Sequence, residues 1–180
     1  MNAESREILE SAEKYWLAAR SLDYVNTLSQ ENVQPYRLPN TLNDLDVVEP
    51  KMILELFSIE LYLNALLRYR TGSYEKTHNL SRLFDNLPES DKEAISEKWR
   101  KSDEPFSDGL VGSPPVERTT LTVEEVLHEV RDYFRRWRYS FDPDEMKPVF
   151  DRKEVAPEIF GVPEVIRNHV RSLLKDQDGA

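Results

Sequence analysis

Residues 52 to 67, MILELFSIELYLNALL, constrain the fold of this chain more than any other stretch. The helix predicted here, Lys51 to about Arg70, is apolar on nearly every side, and such a helix is stable only when other elements surround it. Glu55 and Glu60 interrupt the run, and it is shorter than the roughly 20 apolar residues needed to span a bilayer. It therefore reads as the central helix of a bundle, with no membrane association. Pro50 is placed to open this helix and Gly72 to stop it.

The rest of the chain repeats apolar residues at three- and four-residue steps, with few alternating runs and only five glycines. A first helix is expected from about Ala3 to Ser29, where Ile8, Ala12, Tyr15, Trp16, Ala19, Leu22 and Val25 recur at three- and four-residue steps. Residues 32 to 50, with three prolines, connect it to the central helix. Leu80, Leu83, Phe84 and Leu87 follow in helical register, with Pro88 as a terminator or as the start of the next turn. Ser90 to Lys101 reads as a short helix with Ile95 and Trp99 one turn apart, opened by a capping box of Ser90 and Glu93. Thr122 and Glu125 make a second capping box, and their helix is expected to continue to about Phe141. A last helix, from Pro163 to about Lys175, carries Ile166, Val170, Leu173 and Leu174 on one side. Long loops are expected at about 103–120 and 142–162. Five or six helices in one domain, residues 1–180, make an all-α antiparallel helical bundle.

Composition narrows the chemistry. With no cysteine, disulfides and thiolates are excluded, and His78, His128 and His169 include no pair at the four-residue spacing of a common zinc site. No metal and no cofactor is expected. The N-terminal MNAESREILESAEK has no apolar core, so a cytoplasmic location is the expectation. A formal net charge of −10 excludes a protein that coats nucleic acid by general attraction, so any RNA contact must be local. Neither a serine triad nor a phosphate-binding glycine loop is legible.

One stretch departs from the acidic background: HEVRDYFRRWRYSFD, residues 128 to 142, with four arginines and five aromatic residues. On a helix, Val123, Val130, Phe134, Trp137 and Phe141 share the face of a core seam. Glu124, His128, Arg131, Arg135 and Arg138 form a second stripe beside it. Such an edge offers what metal-free RNA cleavage requires: His128 as acid or base toward a 2′-hydroxyl, and Arg135 to hold the phosphate and its developing charge. Arg131, Arg136 and Arg138, with Trp137 as stacking surface, would bind RNA or another phosphate without any chemistry. A third reading is purely architectural: the arginine stems lie along the core, their heads pair with Glu124 or Asp132, and His128 is a solvated helix histidine.

Residues 55 to 88, ELFSIELYLNALLRYRTGSYEKTHNLSRLFDNLP, resemble the helix pair of HEPN domains. There a glutamate within an apolar helix is followed by a short turn and an HNL-like segment that leads into a second apolar run. The matching positions are Glu60, Leu61, Leu63, Ala65, Leu66, Leu67, His78, Asn79, Leu80, Leu83 and Phe84. FRRWRYSF, residues 134 to 141, resembles the late WRY segment of one bacterial HEPN-like subgroup, so that the resemblance covers about residues 3 to 141. It implies an antiparallel helical bundle and a homodimer. It also implies a role in RNA cleavage, in toxin–antitoxin pairs with an antitoxin-type protein partner, in phage defence, or in RNA or nucleotide binding without catalysis. Nuclease members carry an arginine, four to six residues, then a histidine; here seven residues separate Arg70 from His78 and one separates Arg167 from His169. His128 followed after six residues by Arg135 has the reverse order, a geometric pairing and not the family's motif.

Three further polar residues are given structural roles. Glu60, with Asn64 one turn later, is expected to pair with an arginine of the fourth long helix, since buried carboxylates are costly unless partnered. His78 is expected to cap its helix or to bond the preceding turn. The functional expectations are thus an RNA- or nucleotide-binding module, a metal-independent endoribonuclease, or a protein-binding bundle.

Overall fold

The computed structural model of the chain describes residues 3–30, 45–101, 121–131 and 161–178. Among them are six α-helices and no strand: α1 (Ala3–Gln30), α2 (Leu45–Thr71), α3 (Leu80–Asp85), α4 (Glu89–Lys101), α5 (Val123–Glu129) and α6 (Val162–Asp178). The all-α bundle expected from the sequence is the fold the chain adopts.

α2 is the axis of the molecule, as its composition demands. Between Met52 and Leu67 only Leu54, Phe57, Glu60 and Leu61 are other than buried. Burial of each leucine or isoleucine along it contributes about 1.5–3 kcal/mol relative to exposure. α1 covers one side and runs antiparallel to it. Glu4 pairs with Arg68 at one end, and further along Tyr15 stacks on Phe57 with ring centroids 5.5 Å apart. α6 lies against α2 and is tied to α1 by Arg20 to Glu164 at 2.9 Å and Arg167 to Glu13 at 2.9 Å. The Arg167 guanidinium sits 3.8 Å from the ring centroid of Trp16, so the pair is roofed by an aromatic face. All six helices contribute to one continuous core, from Leu9 and Ala12 of α1 to Ile166 and Val170 of α6.

Local signals explain most element ends. Gly72 adopts φ +76°, the left-handed conformation that closes α2, and its N–H returns to the Arg68 carbonyl at 3.1 Å. Thr122 and Glu125 form the expected capping box. Trp99, at the end of α4, donates its indole N–H to the Leu121 carbonyl at 2.9 Å, which holds the start of α5 against α4.

Three expectations are corrected. Pro50 does not open α2 but lies inside it, because a proline removes a single intrahelical hydrogen bond and the helix continues around it this close to its start. Ser90 is not a cap: α4 begins at Glu89, and the Pro88 carbonyl accepts from the N–H groups of Asp91 and Lys92. α5 does not run unbroken toward Phe141, since Val130 caps it and Arg131 N–H bonds the His128 carbonyl at 3.4 Å, a three-residue turn that leaves the α-helical ladder. Most of the long connections expected at about 103–120 and 142–162 lies outside the described residues.

Candidate functional site

A cleft of about 570 Å³ opens between the first turns of α1, the last turns of α2 and the connection 73–79. Its geometry follows from the left-handed turn at Gly72, after which the chain doubles back over the helix it has just left. The Glu75 N–H then reaches Asn64 Oδ1 at 3.2 Å, and His78 Nδ1 reaches Glu60 Oε2 at 2.9 Å. Glu60 and Asn64 are one turn apart and share a face of α2, which is why one short connection engages both. Asn79 ends it as the N-cap of α3, its side chain accepting from Arg82 N–H at 3.0 Å. Glu75 is clamped in turn by Arg82 at 2.8 Å and Asn86 at 2.6 Å.

Among the described residues Glu60 is thus partnered by His78, while Arg135, Arg136 and Arg138 of the helix expected to supply an arginine lie outside them. His78 is not the cap of α3: it is exposed, and its ring is fixed by a half-buried carboxylate. When Nδ1 donates to Glu60 the ring lone pair lies on Nε2, the orientation that makes a histidine a proton acceptor. Arg68 also lines the cleft, with its guanidinium between Glu4 and the Gly72 carbonyl. Glu60, Asn64 and His78 are therefore brought together at one site.

His128 and Arg131 lie elsewhere, at the end of α5. His128 is exposed, and the Arg131 guanidinium is held against its imidazole, with Nη1 beside both Nδ1 and Nε2. A guanidinium can only donate, so the ring is the acceptor in this contact. Arg135, Arg136, Trp137 and Arg138 lie outside the described residues. No group of three or more His, Asp or Glu side chains that could hold a metal ion occurs among the described residues. No helix among them is long and apolar enough to cross a membrane.

The HEPN domain model matches residues 57–173, more than half of the chain. The chain belongs to the HEPN family. No curated protein and no solved structure gives a match. The matched span begins within α2 and extends through most of α6, further toward the C-terminus than the WRY segment on which the sequence resemblance ended. HEPN domains are generally associated with RNA-related, nuclease and toxin–antitoxin functions, and they often form dimers.

A buried polar triad inside the HEPN match was not read from the sequence. Asp91, 1 % exposed, accepts from Arg70 Nε and Nη2 at 2.8 Å each and pairs with His169 Nε2 at 2.9 Å. Burial works to raise the Asp91 pKa, but the hydrogen bonds from Arg70 and His169 hold it below the usual carboxylate value. Burial pushes His169 below the ordinary histidine value, opposed by Asp91 and reinforced by the charges of Lys98 and Arg70. The triad joins the end of α2, the start of α4 and the middle of α6. A signal for it existed: Asp91, Ile95 and Trp99 stand at four-residue steps, so Asp91 is on the apolar stripe of α4, and His169 sits beside Val170 on that of α6. With Asp91 and His169 sealed from water, the triad reads as a clamp between helices and not as a site open to a substrate.

Proposed function

We propose that this HEPN chain is an RNA- or nucleotide-binding module whose contact surface begins at the end of α5 and continues into the arginine-rich stretch 131–138. The observation that carries the reading is the exposed His128 with Arg131 held against it, at the head of a segment that adds Arg135, Arg136 and Arg138 with Trp137. With a net charge of −10, the protein must bind RNA through a local cationic patch, and these residues are its densest group of arginines interleaved with aromatic rings. As a HEPN domain it would act as a homodimer, in the cytoplasm, with a small antitoxin-type protein as a natural partner if it serves a bacterial toxin–antitoxin or phage-defence system.

Titration of labelled single-stranded RNA at a series of salt concentrations tests this. Binding should weaken as salt rises, and Arg131→Ala, Arg135→Ala and Arg138→Ala should each reduce the slope of log affinity against log salt by about 0.7 per lost phosphate contact. Unchanged affinity and slope in the triple variant would remove the reading.

The contact between Arg131 and His128 favours a second reading, a metal-independent endoribonuclease with His128 as acid or base and Arg135 on the phosphate. Cleavage of single-stranded RNA in EDTA that disappears in His128→Ala, with the helical spectrum intact, is the expected result. Activity that survives this substitution clears His128.

A further inference from the structure

The cleft over α2 contains polar atoms that the fold leaves uncommitted. Asn64 is 6 % exposed, and its Oδ1 is taken by the Glu75 N–H, while its Nδ2 amide has no acceptor among the described residues. Glu60 gives Oε2 to His78 and keeps Oε1 as an acceptor. One turn apart on the same face, the two residues set a donor beside an acceptor at the inner wall of the cleft. The buried Nε of Arg68, without a hydrogen-bond partner, adds a second donor close by.

The charges decide which ligand suits these groups. Glu4, Glu60 and Glu75 are each paired, with Arg68, His78 and Arg82, and Glu7 adds a further carboxylate to the lining. The lining sets four carboxylates against two permanent cations, Arg68 and Lys76, so it is net acidic, disfavours a phosphate and suits a neutral solute with donors and acceptors of its own. Ile8 and Leu61 supply apolar wall, and Tyr74, 47 % exposed, offers a ring face at the rim. A flat heterocycle with an amide edge matches this set, because unstacked bases are held by an aromatic face and by hydrogen bonds along their edges.

We propose that the cleft holds a single unstacked nucleobase, stacked on Tyr74 and read by Asn64 Nδ2 and Glu60 Oε1. The proposal rests on the reading of the chain as an RNA binder and adds to it a base-recognition site built from residues other than the arginines that would hold the phosphates.

The test is equilibrium dialysis of the full chain against the four ribonucleosides, which carry a base and no phosphate, beside the RNA titration described above. At least one nucleoside should bind saturably and independently of salt. Tyr74→Ala should weaken it about tenfold, the loss of one stacked base. Asn64→Asp, which keeps the acceptor for Glu75 and removes the donor, should weaken it about as much, with circular dichroism confirming the fold. Were Asn64→Asp to unfold, the exposed Tyr74→Ala would decide alone. If no nucleoside binds, or if binding is indifferent to both substitutions, the base site is overturned even where RNA still binds through the arginines. Loss of RNA binding in the arginine variants with nucleoside binding retained supports both sites, and absence of any binding by the unmodified chain overturns both.

Discussion

Replacement of Asp91 by asparagine tests whether the buried triad holds the bundle together. The side chain accepts three hydrogen bonds, two from Arg70 and one from His169. Asparagine keeps its shape but turns one acceptor into an NH2 group that must face a donor. A hydrogen bond to a charged group contributes about 1.5–3 kcal/mol, and breaking a buried ion pair costs about 3–5 kcal/mol. The Arg70 side chain is 32 % exposed, so water takes over part of what its guanidinium loses, and the net cost should be about 2–3 kcal/mol. In urea this lowers the unfolding midpoint by about 1–2 M. The same triad sets the response to acid. His169 has a lowered pKa in the folded chain, so below its unfolded value of 6.5 the unfolded state takes up the proton first and stability falls. Asp91, also lowered, contributes stability that is complete above its unfolded value of 3.8 and is lost as pH falls through its folded value. Stability should therefore decline from about pH 7 downward, first through His169 and then through Asp91. His169→Gln retains a neutral donor for Asp91 and removes the titration, so its decline between about pH 7 and 5.5 should be smaller than that of the parent. Urea melts followed by circular dichroism measure all of this. Equal acid sensitivity in His169→Gln, or a cost below about 0.5 kcal/mol for Asp91→Asn, refutes the reasoning.

Two further substitutions probe the ends of helices by the same melts. Gly72→Ala meets no atom within 4 Å of an added Cβ, so its whole cost is the left-handed backbone, about 1–2 kcal/mol, and a neutral result would show that the turn into the cleft relaxes. Thr122→Ala removes the capping box of α5 and should cost about 1 kcal/mol, whereas Thr122→Ser should recover most of it.

The architecture was legible in the sequence wherever local rules decide. The apolar girth of Met52–Leu67 announced a helix that others must surround, and Gly72 and the pair Thr122 and Glu125 marked ends that the chain uses. Pro50, Ser90 and the far end of α5 were misread for a common reason: a boundary signal competes with the packing of its neighbours, and packing is not written locally. HEPN membership was legible in the same way, through the order of residues along α2 and into α3.

The sequence by itself determined that the chain would be helical, with α2 at its centre, because the spacing of apolar residues fixes which faces must leave water. It also determined that any grip on RNA would be local, since 34 acidic residues outweigh 24 basic ones. Tertiary structure alone decided who meets whom among the polar groups. His78 found Glu60 because a left-handed turn folds the chain back over α2, and Asp91 found Arg70 and His169 across 21 and 78 residues of sequence. Such pairs are chosen by the closing of the core: once apolar faces lock together, the charged groups trapped between them take the partners that remain within reach.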